Sequence, residues 1–507
     1  MSLDLALNVA RSGLAAVQRG LAQNAQNVAN AETAGYTRKA VAQESLVTGG
    51  GPMGLRTAEA RREVDAALVA RLDASRAAAA GAAAREDLLS GVEAAHGTGE
   101  GGDGLADALA GLRSGLLALR GAPADTGKQM AALEGARGVA EGLNRLSDAI
   151  DAARQRAQDG IVEEVAAVNS TLREIAGLSL KIKSGGDGAL ASLEDQRDLA
   201  VARLSESLEV RAVRQPGGDL LLVARGGVVL PLDPDRDVLA TTGASVAPGS
   251  SYASGTLPGV FLNGLDVTGQ LGGGRLGEYV ALRDSTLPRY QAEADVLAST
   301  LAGRLDAQGL RLFTDTQGGG VPDPAAAYAG SAQMGFACRI RVNPAVEANP
   351  ALLRDGTHAV AGSAGGPSAF TPNPTGGPAG FTSLLDRVLD FGLGTQAAAG
   401  ASWPAIRTGG LGPDGTLQSP FAAPQDLEAY AARVAAAQTG DRAAATEART
   451  AAEGLRGALE QKFGKQSGVD PDAEMAAMVA LQNAYAANAR VLGTVQSMWD
   501  SLLAAVR

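Results

Sequence analysis

The sequence predicts a multidomain α+β protein that is mainly α-helical. We expect a long helical bundle built from both chain ends, an inserted β-rich domain, and terminal helices of coiled-coil type. Apolar residues recur at steps of three and four along both termini and along the long segments between them, which is the period of a helix face. Aromatic residues make up only 3% of the 507 residues, which favours slender, closely packed helices. The glycine-rich middle third carries short alternating runs typical of strands.

Residues 1–31 are predicted to form one helix with a continuous seam on one face. The seam follows alternate steps of four and three: Leu3, Leu7, Ala10, Leu14, Val17, Leu21, Asn24 and Val28. The segment from Asn30 to Arg38 interrupts this pattern, and Gly35 is its obvious turn residue. Residues 39–58 follow no single period and contain a loop at 49–52.

The C-terminal segment predicts a second helix of the same kind. Asp470 is expected to cap its N-terminus, with Pro471 at the first helical position and Asp472 in the first turn. The seam consists of Met478, Leu481, Tyr485, Asn488, Leu492, Val495, Trp499, Leu502 and Val506. Because neither seam has a partner within its own segment, we expect the terminal helices to pair with each other and with neighbouring subunits. An ordinary core face is the alternative that the spacing leaves open.

Two features favour the pairing of the termini. Asn24 and Asn488 lie within the apolar seams, where a polar residue can fix the register and the number of partners. The first helix and its turn lean basic, whereas the last helix leans acidic. The attraction between such surface charges contributes little, so this second feature is a minor one.

Helical segments are also predicted between residue 59 and residue 207. The helical pattern resumes near Glu59, and a shorter helix runs from Leu105 to Gly121. A long helix is expected from Thr126 to Lys183, followed by another from Ala189 to Ser207. Helices of this length with short connections predict an antiparallel bundle.

The period changes to two after Leu208, and Gly217–Asp219 predicts a hairpin turn. Further along, a long stretch rich in Gly, Pro, Ser and Thr with short apolar runs predicts the inserted β-rich domain. The predicted segments are 1–58 (terminal helix and turn), 59–207 (helical bundle), 208–275 (β-hairpin segment), 276–312 (helix returning to the bundle), 313–424 (inserted β-rich domain), 425–464 (bundle helix) and 465–507 (C-terminal helix).

Composition argues against nucleic-acid and membrane-inserted classes. The formal net charge is −11 and basic residues are not clustered, which is unfavourable for contact with a phosphate backbone. No stretch reaches the roughly 20 apolar residues that a membrane-spanning helix needs. The N-terminus lacks the basic start and apolar run of a secretory signal, so we expect either cytoplasmic residence or export without a cleaved signal.

The candidate chemical motifs predict neither an enzyme nor a cofactor site. Cys338 is the single cysteine and is expected to be a buried small hydrophobe, while His96 and His358 belong to no metal-ligand pattern. The run Gly97–Gly102 matches a dinucleotide fingerprint formally but follows a helical pattern, so a plain loop is expected. The alternating acids Asp233, Asp235 and Asp237 lack the glycine and glutamate of a calcium loop and predict a solvated turn.

Two terminal motifs resemble a known family. Asn27–Arg38 is similar to the N-A-N-x-x-T-x-G-Y-T-R turn shared by the axial proteins of the bacterial flagellum. The segments Ser467–Met475 and Gln482–Leu492 resemble the C-terminal end of the hook-associated protein 1 family, although position 470 is Asp where that family has Asn. Both residues cap helices well.

Internal landmarks extend the resemblance over most of the chain. Arg62–Asp65 follows the first loop, as a similar R-E-x-D does in the family. Asp195–Asp198 ends the helical region before the strands, and Val342–Val346 with Asn349–Pro350 resembles a V-N-P-A motif. The segment 313–424 matches least.

The resemblance implies a non-enzymatic structural protein at the junction of hook and filament. It implies export through the flagellar type III apparatus without a cleaved signal, and terminal helices that are disordered in the monomer and pair within the axial tube. The implied partners are further copies of the chain, hook protein, the second hook-associated junction protein, and an export chaperone at the C-terminal helix. The alternatives are another axial protein (hook, rod or second junction protein) or a cytoplasmic coiled-coil scaffold.

The resemblance also assigns the assembly interface. Gly35 and Tyr36 would set the turn from the inner helix to the outer domains. Arg38 would contact a carboxylate of a neighbouring subunit or a helix C-terminus, or simply lie on the surface. The interface residues are Leu7, Leu14, Leu21, Asn24, Asn27, Val28, Asn30, Gly35, Tyr36, Thr37, Arg38, Met478, Leu481, Tyr485, Asn488, Leu492, Val495, Trp499, Leu502 and Val506.

Overall fold

Helices dominate the computed structural model, which describes residues 3–48, 51–97, 104–185, 190–215, 217–315 and 320–505. The predicted class, mainly α-helical with small sheets, is confirmed. The helices are α1 (Leu3–Ala29), α2 (Ala66–Ala95), α3 (Leu105–Gly121), α4 (Thr126–Lys183), α5 (Leu190–Ser207), α6 (Gly274–Ala281), α7 (Leu287–Ala307), α8 (Phe336–Arg339), α9 (Pro344–Ala348), α10 (Leu352–Asp355), α11 (Ser383–Arg387), α12 (Leu427–Ser467) and α13 (Pro471–Ala505).

The strands are short, apart from those of one hairpin near the N-terminus. They are β1 (Lys39–Thr48), β2 (Gly51–Arg62), β3 (Val210–Arg214), β4 (Leu220–Ala224), β5 (Val229–Leu230), β6 (Leu239–Ala240), β7 (Phe261–Leu262), β8 (Leu265–Asp266), β9 (Phe313–Thr314), β10 (Arg341–Val342), β11 (Gln396–Ala398), β12 (Ala401–Ser402), β13 (Gly409–Leu411) and β14 (Leu417–Gln418). All of the pairings among the described strands are antiparallel.

Aspartate side chains cap the N-termini of several helices. Asp125 starts α4, where its Oδ1 accepts the backbone N–H of Gly127 at 2.8 Å. Asp470 caps α13 as predicted, accepting the N–H of Asp472 at 3.0 Å and that of Ala473 at 3.3 Å. These side chains satisfy backbone donors that have no partner inside their own helix.

The chain is nested, so that each helical layer combines segments from its two ends. α1 packs against α13, α2 runs along α12, and α3, α4 and α7 continue the bundle. One apolar cluster joins α3, α4, α7 and α12, and a second joins the later part of α4 with α5 and strands β3–β5. Two buried layers of this kind hold the bundle together without a large aromatic core.

The segment 313–424 contains short strands of two or three residues together with the one-turn helices α8–α11. Its apolar residues, among them Phe313, Phe336 and Leu411, belong to the same cluster as the bundle helices. The sheet described in this segment is limited to these small strand pairs, and the segment packs directly on α4 and α7.

Two sequence predictions around the first hairpin were wrong. Residues 39–48 form β1 and residues 51–62 form β2, with Lys39 opposite Arg62 and Thr48 opposite Gly51. Of the predicted loop at 49–52, Gly51 and Pro52 lie in β2, and residues 49–50 lie outside the described residues. Helix therefore does not resume near Glu59, which lies in β2; α2 begins after its cap Asp65. Near the other end, α12 continues through Gly464, so the break before α13 is shorter than predicted.

The residues considered for catalysis have ordinary structural contacts. His96 is buried with its Nε2 2.7 Å from Gln438 Oε1, and burial lowers the pKa of its imidazole. Cys338 is only partly buried, contrary to prediction, because Phe336 and Ala337 take the inward positions of α8. Asp233 accepts the N–H of Asp235 in a turn. Residues 98–102 of the glycine-rich run lie outside the described residues.

Over the described ranges, no three His, Cys, Asp or Glu side chains are grouped in a way that could hold a metal ion. None of the helices in this part of the chain combines the length and hydropathy that a bilayer-spanning segment requires.

Candidate functional site

The terminal helices α1 and α13 form an antiparallel pair. Gly13 lies opposite Asn488 and Gly20 lies opposite Leu481, so that a Cβ at Gly20 would stand 3.1 Å from Leu481 Cδ1. The two glycines are seven residues apart, on the same face of α1. Their missing side chains let the two helices approach closely.

Within this helix pair, the predicted seam residues are buried to different extents. Ala10, Val17 and Val495 are fully buried. The partly buried seam residues are Leu7, Leu14, Leu21, Asn24, Val28, Met478, Leu481, Asn488, Leu492 and Trp499. Tyr485 and Leu502 are exposed, and Val506 lies outside the described residues. Asn24 and Asn488 do not face each other, because Asn488 faces Gly13.

The later half of α13 leaves apolar side chains uncovered. Val491, Met498, Leu502 and Leu503 are each about half exposed, at 49%, 53%, 50% and 59% of their surface. Val491 and Met498 are one heptad apart and flank the seam. An exposed apolar surface does not stabilise an isolated chain. Such a surface is typical of a contact with another protein.

The β1–β2 hairpin covers another face of α1. Ser12 Oγ accepts the N–H of Leu55 at 3.1 Å, and Arg19 donates to Thr57 Oγ1. Gly54 has φ +144°, and a Cβ there would lie 2.8 Å from Ser12 Oγ, so only glycine fits. α1 is thus held between α13 and the hairpin.

Asn27 fixes the turn at the end of α1. Its side chain is fully buried; Nδ2 donates to Lys39 O at 2.9 Å, and Oδ1 accepts from Lys39 N at 3.2 Å and from Tyr36 Oη at 3.0 Å. One asparagine therefore ties the helix, the turn and the first strand residue together. Asn30, farther along, closes the turn through Nδ2, which donates to Gln26 O at 2.9 Å.

Asp195 of α5 attaches this turn to the bundle. Its carboxylate accepts from Thr37 Oγ1 at 2.6 Å and pairs with Lys39 Nζ at 2.7 Å and Arg62 Nη1 at 3.1 Å. Lys39 Nζ also lies 3.4 Å from the centre of the Tyr36 ring, a cation–π contact. We call the residues Asn27, Tyr36, Thr37, Lys39, Arg62 and Asp195 the clamp.

Arg38 points the other way and links the turn to the C-terminal helix. Its Nε pairs with Glu474 Oε1 at 2.6 Å, and its backbone N–H donates to Ser467 O at 2.8 Å, at the end of α12. Glu474 is fully buried, and its Oε2 has no hydrogen-bond partner among the described residues. The carboxylate that Arg38 contacts belongs to its own chain, whereas the prediction named a carboxylate of a neighbouring subunit.

Burial controls the electrostatics of the clamp. Burial raises the pKa of the Tyr36 hydroxyl, and the nearby Asp195 charge raises it further. Burial lowers the pKa of the Arg62 guanidinium, but Asp198 and Glu194 outweigh it and raise that pKa overall. Lys39 and Asp195 are only 3% and 7% exposed, so each neutralises a charge that water does not reach.

Five of the six clamp residues lie in sequence motifs, and three of these five were predicted interface residues. Asn27, Tyr36 and Thr37 lie in the N-terminal motif, and Arg62 and Asp195 lie in the internal landmarks, but nothing local indicated that these segments meet. Lys39 was not predicted, although it follows the motif directly. Gly35, with φ +76°, has the backbone conformation that its predicted turn role requires.

Gly20→Ile should separate α1 from α13. The new side chain would collide with Leu481, and overpacking of this kind costs about 1–3 kcal/mol. We expect faster amide hydrogen exchange along α13 while α4 stays protected. Ala22→Ile, at an exposed position of the same helix, is the control. Equal exchange in the two variants would contradict the close approach.

Asp73, on α2 beneath the clamp, should make stability depend on pH. Burial raises the pKa of its carboxyl to about 6, although Arg76 at 2.9 Å opposes the shift. Because the folded-state pKa lies above the unfolded one, protonation favours the folded state, and this stabilisation appears as pH falls through 6. Between pH 7 and pH 5, the unfolding free energy of wild type should therefore rise by about 1 kcal/mol relative to that of Asp73→Asn. Urea titrations measure it; a pH-independent difference would contradict it.

Two family models match the chain. Residues 92–319 match the flagellar hook-associated protein FlgK helical domain, and residues 460–505 match the C-terminal domain of the flagellar basal body rod FlgEFG proteins. The first match covers α3–α7 with the second apolar cluster, and the second covers α13.

Curated relatives agree with these matches. The chain is 27% identical to flagellar hook-associated protein 1 of Escherichia coli K12 over 284 residues, which is 53% of this chain and 51% of the relative. It is 26% identical to the Salmonella typhimurium protein of the same name over 319 residues, 60% of this chain and 56% of the relative. The aligned part of the chain thus spans about half the length of the curated relatives.

Among solved structures, the flagellar hook junction protein FlgK from Burkholderia pseudomallei is 25% identical. The alignment covers 49% of this chain and 45% of that protein, with a TM-score of 0.40.

Proposed function

We propose that this chain, which belongs to the family of flagellar hook-associated protein 1, is a structural component of the bacterial flagellum that joins the hook to the filament. The observation that carries the proposal is the attachment of a terminal helix pair to a helical body. The body matches the hook-associated helical domain, and the second helix of the pair matches the rod-type C-terminal domain.

Assembly would proceed through the terminal helices. The half-exposed residues Val491, Met498 and Leu502 would be covered by neighbouring subunits, and the burial of apolar surface would drive association. Each half-exposed side chain of this kind can contribute on the order of 1 kcal/mol when it is covered. The clamp would then transmit the position of the inner helices to the outer bundle.

The partners follow from that position. Further copies of the chain would form the junction layer, with hook protein on one side and the second hook-associated junction protein on the other. The protein would leave the cell through the flagellar export apparatus without a cleaved signal. A dedicated chaperone would shield the apolar flank of α13 before export, because an uncovered flank favours aggregation. A structural role of this kind needs no catalytic residues.

The proposed assembly interface consists of the seam residues and the clamp, which have different roles. Leu7, Leu14 and Leu21 on α1, and Leu481, Leu492 and Val495 on α13, would hold the helix pair together. Tyr485 and Leu502 are more exposed and would contact neighbouring copies. The segments predicted from the sequence belong to the same proposal, except that the structure moves the boundaries at 59 and 464.

Gold labelling of isolated flagella tests the location. Antibodies raised against residues 105–185 would bind the α3–α4 region, and electron microscopy would show where the gold lies. A single band between hook and filament is expected. Labelling along the whole hook or rod would identify another axial protein, and labelling restricted to the cell interior would favour a cytoplasmic scaffold.

A further inference from the structure

A cavity of ≈ 550 Å³ lies beside α7, away from the terminal helices. Its wall is formed by Arg304 of α7, by the turn at Asp323–Ala325 and by the segment Trp403–Arg407. This volume falls in the range of small-molecule sites, which are about 300–1,000 Å³. Nothing in the proposed junction role uses this cavity.

Arg304 is a buried cation without a carboxylate partner. It is 3% exposed, and its Nη1 donates to the carbonyl oxygens of Gln425 at 2.8 Å and Gly394 at 3.4 Å. No carboxylate oxygen of the described residues lies within ion-pair distance of its guanidinium. Burial lowers the pKa of its guanidinium to about 10, while the charge of Asp426 opposes this shift, so the side chain is charged at neutral pH. A buried cation without a carboxylate in direct contact is costly, and an anionic ligand would reduce that cost.

Arg407 places a second cation on the same wall. Its Nη2 donates to Ala326 O at 2.8 Å, while its Nε is buried and has no hydrogen-bond acceptor among the described residues. Asp323 is the acidic residue of the wall, and its carboxylate accepts the N–H of Ala325 at 2.9 Å. The two arginines and one aspartate leave a single net positive charge.

The remaining wall is apolar and preorganised. The Trp403 ring centre lies 5.2 Å from Arg304 Cζ, and its Nε1 donates to Phe391 O at 2.7 Å, which fixes the indole. Pro324, Pro404 and Ile406 complete the surface. A site with one net positive charge beside a fixed aromatic face suits a ligand with a charged end and a compact apolar body.

We propose that this cavity binds a small organic monoanion, a carboxylate attached to a compact apolar group. The carboxylate would pair with the guanidinium groups of Arg304 and Arg407, and the apolar group would lie against Trp403. A dianion such as phosphate is disfavoured, because one net positive charge cannot neutralise it and Asp323 repels it. The proposal is independent of the junction role.

Trp403 provides a direct readout, because Trp499 is the other tryptophan of the chain. The full-length protein carrying Trp499→Phe would be titrated with cyclohexanecarboxylate while Trp403 fluorescence is followed. A saturable change is expected. The neutral isostere cyclohexanecarboxamide should bind about tenfold more weakly or worse, because it lacks the charge-assisted hydrogen bonds.

Two further variants decide the assignment. Arg304→Gln should weaken carboxylate binding by about tenfold or more and remove the preference over the carboxamide. Ala405→Phe, at an exposed wall position, keeps both arginines but narrows the cavity with a bulky ring and should weaken binding. Circular dichroism checks that each variant is folded. An equal response to carboxylate and carboxamide, no saturable response, or full affinity in folded Ala405→Phe would overturn the proposal.

Discussion

Asp195→Ala should release the terminal helices from the bundle while the bundle itself stays folded. The substitution leaves the Lys39 ammonium buried without a carboxylate, and it removes the acceptor of Thr37 Oγ1 and one partner of Arg62. Breaking a buried ion pair by removing one partner costs about 3–5 kcal/mol. Lys39 retains only a weak contact at 3.4 Å to Thr37 O and the Tyr36 ring, which cannot replace the lost charge.

The effect should be local, and amide hydrogen exchange can resolve it. Exchange should accelerate through β1 and α1, whereas the centre of α4 should keep its protection. In a strain lacking the native gene, the variant should fail to restore swimming even though the protein is produced at the normal level.

Glu194→Gln is the matched control on the same helix. Among the described residues Glu194 forms an ion pair with Arg62 Nε alone, at 2.8 Å, and its side chain is 29% exposed, so water replaces part of the lost interaction. We expect a loss below about 1 kcal/mol. If Glu194→Gln and Asp195→Ala had equal effects, or if α4 lost protection in both, the clamp would not be the attachment point.

The sequence predicts those elements whose pattern of residues lies within the element itself, and it does not predict those that depend on contacts with distant segments. The positions of α3 and α4 were predicted closely, because the apolar spacing that indicates them lies within the helices themselves. The β1–β2 hairpin was missed, because few of its residues are β-branched or aromatic and most of the described side chains of β1 face solvent. Its contacts with α1, such as Ser12 with Leu55, are made between segments that no local pattern connects.

The clamp shows the same limit at a functional site. Motif resemblance indicated that Thr37 and Asp195 matter, but they are separated by 158 positions along the chain, and only the fold brings them together. Lys39 carried no signal of its own, since a lysine after a turn is usually a solvated surface residue. The pattern that could have suggested the Lys39–Asp195 ion pair is a basic residue directly after the turn motif, together with an acidic residue in a second motif of the chain.

Val495→Asp should prevent assembly by opening the terminal helix pair. Val495 is the most deeply buried apolar residue described on α13, at 6% exposure. A carboxylate in this apolar seam has no partner, and burying an unpaired polar group costs several kcal/mol, about 2–5. Because α13 packs chiefly on α1, the helix would detach before the bundle unfolds.

Two measurements separate assembly from folding in this variant. The melting temperature of the purified protein should stay close to that of wild type, because both apolar clusters of the bundle lie elsewhere. Complementation should give no swimming and no gold band at the junction. Gln496→Asp introduces the same charge at the neighbouring exposed position and should swim normally. A large fall in melting temperature for Val495→Asp would contradict this prediction, because it would mean that the seam stabilises the bundle itself and not only the terminal helix pair.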